Sequence, residues 1–195
     1  GLPLEELSIS RIPITSAEIA VQCAHALSRI RQLETIYYDD NMNSLLSMIQ
    51  YTTGLRELWL ESSEDHLLVP HLLLLLQRQS CAGLENLIIG SESSITPQQL
   101  CELLKWCPQL RLLDFHCSSD AVLVELARSC PHLQKVILYS SEVTEEGVLA
   151  LAAHCRQLRE IEIPYTTVTE ETVRQLVQHC RRLTELHVRV NVREG

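Results

Sequence analysis

The sequence predicts an α/β solenoid: short parallel strands on one side, helices on the other, one strand and one helix per repeat. Three observations predict it. A motif of the form L-x-x-L-x-L returns eight times in 195 residues. Between copies, apolar residues fall at i, i+3, i+4 and i+7, one face of a helix. Five copies have a cysteine three residues before their first leucine. A motif of this form at steps of 20–29 residues is that of a leucine-rich repeat. The expected shape is a curved right-handed solenoid, strands on the concave face and helices on the convex face, in one domain over 1–195. A single unit cannot bury its own apolar side, so stacked neighbours must close a shared core.

In chain order the motifs start at Leu4, Leu33, Leu55, Leu84, Leu110, Leu133, Leu158 and Leu183, at steps of 29, 22, 29, 26, 23, 25 and 25 residues. In each copy the last two apolar positions alternate with variable ones, as one face of a strand requires. The second copy is read as Leu33…Ile36…Tyr38. After the first, Thr15-Ser-Ala-Glu18 reads as a capping box that opens a helix. The third is less regular. Pro70 falls late, and Gln77 and Arg78 stand where apolar residues are expected, so a shifted or shorter helix and a longer loop through 61–65 follow. Thr96-Pro-Gln-Gln99 is a second capping box, with Pro97 at the tolerated first position. Leu100, Leu103, Leu104 and Cys107 then form one helical face. Val148, Leu151, Ala152 and Cys155 form the next, and Val173, Leu176, Val177 and Cys180 the last. Thr144 and Thr169, each followed by two glutamates, suit helix N-termini. The chain ends at Gly195, just past its eighth motif, so either an eighth helix is missing or a further repeat follows. It opens at Gly1 without Met, which predicts a piece of a longer or processed chain.

The cysteines sit where the chain leaves a helix and bends into a strand. A small, apolar, adaptable side chain fits there, and buried free cysteine behaves as one. Cys81, Cys107, Cys130, Cys155 and Cys180 are therefore read as packed thiols, with Thr52 and Ile30 in the same slot elsewhere. Eight free thiols imply a reducing compartment, cytosol or nucleus. The residue chemistry points away from several functions. A formal net charge of −9 disfavours nucleic acid and anionic membrane. The longest apolar run, Leu72 to Leu76, is too short to span a bilayer. One cysteine per repeat along a line, with no C-x2-C pair, is not a zinc set. His154 and His179 adjoin cysteines in sequence but project elsewhere on a helix, and no phosphate-binding glycine loop occurs. No catalytic residue, metal or cofactor is expected.

What remains is recognition. Residues between the inward leucines point away from the core. Tyr37, Trp59 and Ile88 should form an apolar stretch across neighbouring strands, flanked by Asp39, Glu57 and Glu61. Exposed Trp and Tyr on such a face suit anchors for a protein partner, and the acidic flank suits a basic segment of it. Ile137 and Tyr139 form a second candidate patch.

The cysteine-containing repeat, with L-x-x-L-x-L followed by a Thr-headed helix such as VTEEGVLALAAHC (143–155), resembles the F-box/leucine-rich-repeat proteins over about residues 2–189. The resemblance implies the substrate-recognition arm of an SCF-type cullin–RING ubiquitin ligase: a non-catalytic subunit that holds a protein substrate. The ligase adaptor and cullin would be reached only through an F-box, and that segment is absent here. GLPLEELSIS has a Leu-Pro but leads directly into a strand motif. Ser63, Ser118, Ser141 and Thr166 stand near the position where the family often has a cysteine after the strand. The alternative is a repeat scaffold or assembly factor with no ligase role. A fragment of an innate immune sensor ranks lower, because such repeats are longer and more regular.

Overall fold

Eight strands lie side by side in chain order, all parallel, in one sheet. The computed structural model describes residues 5–10, 29–37, 52, 54–62, 81–90, 95–116, 119–139 and 142–191, and for 7–10, 33–37 and 61–62 the backbone alone. The strands are β1 (Glu6–Ser10), β2 (Gln32–Tyr37), β3 (Glu57–Ser62), β4 (Asn86–Ile89), β5 (Leu112–Phe115), β6 (Lys135–Leu138), β7 (Glu160–Thr169) and β8 (Glu185–Asn191). Four helices are described, one after each of β4 to β7: α1 (Pro97–Leu104), α2 (Asp120–Ser129), α3 (Glu145–His154) and α4 (Glu170–His179). The strand–helix alternation is thus seen from β4 onward. The predicted 15–18 capping box, the irregular 61–65 loop, and Pro70, Gln77 and Arg78 lie outside what is described.

One backbone contact recurs at every step. The carbonyl of the residue just after the first motif apolar residue accepts the amides of two successive residues in the next repeat. Glu5 O accepts from Arg31 N (2.7 Å) and Gln32 N (3.1 Å), and Arg31 O from Arg56 N (2.7 Å) and Glu57 N (3.0 Å). The carbonyls of Arg56, Glu85, Arg111, Gln134 and Arg159 continue the row. This contact corrects the second motif. Arg31 occupies the position held elsewhere by Arg56 and Glu85, and Leu33 pairs with Leu58, the second motif leucine. The motif begins at Ile30, which is fully buried like Leu55 and Leu84, and not at Leu33. The uneven steps of 29 and 22 become 26 and 25. Ile30 therefore does not share the cysteine slot.

Alternation along the strands sorts side chains as the period of two demands. Leu58, Leu60, Leu87, Ile89, Leu113, Phe115, Val136, Leu138, Ile161 and Ile163 are buried, and α1 to α4 close over them with Leu100, Leu103, Leu123, Leu126, Val148, Leu151 and Leu176. Each such leucine contributes about 1.5–3 kcal/mol by leaving water. On β8, Leu186 and Val188 are only half-buried, because among the described residues nothing packs on that edge.

The cysteine row falls where expected. Cys130, Cys155 and Cys180 cap the C-terminal ends of α2, α3 and α4, and Cys107 lies three residues past α1. Each carbonyl accepts the amide of the leucine three residues on: Cys81 from Leu84, Cys107 from Leu110, Cys130 from Leu133, Cys155 from Leu158 and Cys180 from Leu183. The thiols reach back along the stack: Cys130 Sγ donates to Cys107 O (3.5 Å) and Cys180 Sγ to Cys155 O (3.8 Å). Burial pushes the Cys130 and Cys155 thiols up to about 12, so they stay protonated and unreactive.

Candidate functional site

The site is built from the strand residues that face away from the helices. Level positions on adjacent strands form rows across the sheet. The central row runs Glu34, Trp59, Ile88, Asp114, Ile137, Glu162, His187. Trp59 is 39% exposed and sits level with half-buried Ile88, so these two form the expected apolar pair. Glu57, also half-buried, lies two residues before Trp59 on the same strand. Tyr37 does not join them. The corrected register sets Tyr37 level with Ser62, and Glu34 takes the position beside Trp59. Glu61 pairs with Ile36 through the backbone, and Asp39 lies outside the described residues.

The second patch is richer than its two predicted members. Ile137 lies between Asp114 on β5 and Glu162 on β7, yet only 9% of it is exposed. It belongs to the outer face and not to the core cluster, so it is a covered apolar floor and not a protruding anchor. Tyr139, just past β6, stacks on His116 with ring centroids 4.6 Å apart and planes at 25°. On its other side stands Tyr165, 6.5 Å away and tilted by 60°. The Arg189 guanidinium lies over the Tyr165 ring, 5.5 Å from its centroid. Four neighbouring repeats thus give one ring or cation each to a continuous ladder.

Charge surrounds this ladder unevenly. Lys135 Nζ lies 2.6 Å from Glu160 Oε1 and 3.5 Å from Glu162 Oε1. The Lys135 ammonium holds the Glu160 carboxyl below the usual carboxylate range. Glu162 shifts the other way, raised by its contact with Glu160 and by burial. Burial also raises Asp114, although His116 and Lys135 pull the opposite way. Asp114 Oδ1 is buried and makes no hydrogen bond among the described residues. Burial raises the Tyr139 phenol as well, with the Glu162 and Asp114 carboxylates adding to it.

The sequence places Tyr139 on the outward face but does not show Tyr165 or the stacking. Tyr165 follows Pro164 in an irregular stretch of β7, where the pairing with β8 shifts between Glu162 and Thr167. The one-per-repeat recurrence of a bulky outward residue was a usable signal for the ladder; the shift was not readable. The arrangement can bind; no nucleophile is paired with a base in it. Among the described residues no group of three or more His, Cys, Asp or Glu could hold a metal, and no helix is long and apolar enough to cross a membrane.

No protein-family model matches the chain, and no curated protein matches it. Among solved structures it is similar to a chain in the crystal structure of the Rad7 and Elc1 complex in yeast, at 13% identity and a TM-score of 0.44, covering 98% of this chain and 72% of that one. A likeness of that size bears on no functional point.

Proposed function

We propose that this chain is one leucine-rich-repeat domain that holds a protein partner on the outward face of its strands, the concave side of the solenoid. The observation that carries the reading is the Trp59–Ile88 pair: a large aromatic side chain left 39% exposed in mid-sheet beside an aliphatic one. A partly exposed tryptophan offers a large apolar area for a partner to cover, and tryptophan is enriched in such contacts. The finer reading is a substrate-recognition domain of an SCF-type cullin–RING ubiquitin ligase, non-catalytic and without cofactor, working in cytosol or nucleus. It rests on the resemblance of the cysteine-containing repeat and its Thr-headed helices. Adaptor and cullin would be engaged by an F-box elsewhere in the full-length protein.

Two experiments test this. Co-precipitation of the full-length protein with ligase adaptor and cullin is expected, and its failure leaves a scaffold with no ligase role. Trp59→Ala is expected to weaken capture of the identified partner by more than tenfold, about 1.4 kcal/mol, with an unchanged melting temperature. Tyr37→Ala, away from the pair in register, serves beside it to mark how far the surface extends. Undiminished capture by Trp59→Ala moves the docking site off this part of the face.

A further inference from the structure

The β5–β7 part of the same face brings apolar, acidic and aromatic side chains together. Its floor is Ile137. Its walls are Asp114 and Glu162, two strands apart, about 9–10 Å at the backbone from the usual inter-strand spacing. Its end is the Tyr139 ring, backed by His116 and met by Tyr165. Glu160 and Glu162 flank the Lys135 ammonium, which lies closest to Glu160, and Asp114 adds a third carboxylate to this part of the face. Arg189 is engaged on Tyr165. The surplus is negative, and one carboxylate oxygen, Asp114 Oδ1, has no hydrogen-bond donor among the described residues.

An apolar floor, carboxylate walls and an aromatic end are complementary to a planar cation. A guanidinium can donate to a carboxylate in its own plane while its face lies on a ring. The chain already shows the ring half of that pairing in Arg189 over Tyr165. An ammonium fits less well, because it neither stacks nor forks. An anion would meet Asp114 and Glu162 first.

We propose that Asp114, Ile137, Tyr139 and Glu162 form a pocket that takes an arginine side chain of the protein partner, separate from the Trp59–Ile88 anchor. The proposal rests on the strand-face docking reading and deepens it by naming what the partner presents.

The test uses a capped glycine–glycine–arginine–glycine–glycine peptide, its citrulline counterpart and its lysine counterpart, titrated into the isotopically labelled chain and followed by amide chemical shifts. Saturable shifts at residues 114, 137, 139 and 162 are expected with arginine, weaker ones with lysine and none with citrulline, which keeps the shape but not the charge. Asp114→Asn and Glu162→Gln are each expected to weaken arginine binding at least fivefold, and Tyr139→Leu, which keeps bulk but not the ring, at least threefold. Equal binding of citrulline, shifts scattered over acidic surfaces elsewhere, or full affinity in Asp114→Asn would overturn the pocket. With the identified partner, loss of capture in Trp59→Ala but not in Asp114→Asn overturns the arginine pocket and leaves the docking face standing.

Discussion

At the scale of single residues, Asp114 and the cysteines make opposite demands on the same fold. Burial raises the Asp114 carboxyl above the usual range. A group raised in the folded state contributes stability below its unfolded value, near 3.9, and loses it as pH rises through the higher folded value. At neutral pH the ionised carboxylate therefore costs stability, reduced by the solvent that still reaches it. Asp114→Asn should raise the melting temperature by about 1–2 °C at pH 7 and leave it unchanged near pH 3, where the acid is neutral in both states. An equal change at both pH values would trace the effect to shape and not charge. Cys130 and Cys155 are the reverse: buried thiols held protonated. Among the described cysteines, Cys101 alone is partly exposed. Under native conditions at pH 8, iodoacetamide followed by peptide mass analysis should modify Cys101 well before Cys81, Cys107, Cys130, Cys155 or Cys180. Comparable rates would mean that the thiol row opens.

At the scale of elements, the helices are tied end to end by their caps. Thr96 and Gln99 close a reciprocal box on α1: Thr96 Oγ1 accepts from Gln99 N (3.3 Å) and Gln99 Oε1 from Thr96 N (2.9 Å). Thr144 Oγ1 accepts from Glu146 N (3.2 Å) and Thr169 Oγ1 from Thr172 N (3.3 Å). The first acid of one helix then holds the cap of the next. Asp120, opening α2, accepts from Thr144 N (2.8 Å) and Thr144 Oγ1 (2.6 Å). Glu145, opening α3, accepts from Thr169 N and from Thr172 Oγ1 (2.8 Å). Thr144→Ala removes its own cap and the Asp120 bond together, an expected loss of about 1–2 kcal/mol in urea unfolding. Gly147 shows how closely α2 and α3 meet. A Cβ there would lie 2.4 Å from Asp120 Oδ1 and 2.8 Å from Leu123 Cδ1. Asp120 can move aside only by giving up its bonds to Thr144, and Leu123 is fully buried. The helix-propensity gain of Gly147→Ala, about 1 kcal/mol, should lose to overpacking of about 1–3 kcal/mol. A more stable variant would show that the helices can separate freely.

At the scale of the whole molecule, each unit touches mainly its neighbours, so position along the stack sets the cost of a change. Leu113 in β5 is fully buried, whereas Leu186 in β8, the last described strand, is half-buried. Leu113→Ala should cost about 2–5 kcal/mol and Leu186→Ala clearly less, measured by urea unfolding. In native-state hydrogen exchange, β8 amides should exchange before those of β5. Uniform protection would mean that the chain unfolds as one cooperative body.

The architecture was legible in the sequence because two short periods, alternate residues in strands and i, i+3, i+4, i+7 in helices, are written in leucine and need no knowledge of neighbours. The cysteine row, the Thr96 box and the Thr144 and Thr169 caps were legible for the same local reason. The second motif is ambiguous in sequence because Ile30, an isoleucine, stands in the leucine slot; a start at Leu33 sets Tyr37 beside Trp59, whereas the pairing sets Glu34 there. Only backbone pairing resolves such a slip, since an apolar residue looks alike one motif position out of step. The ladder of His116, Tyr139, Tyr165 and Arg189, the covered floor at Ile137 and the unpaired oxygen of Asp114 were settled by tertiary structure. They depend on which strands lie side by side and where β7 shifts against β8; a bulky outward residue in each repeat marks the members of the ladder but not their stacking.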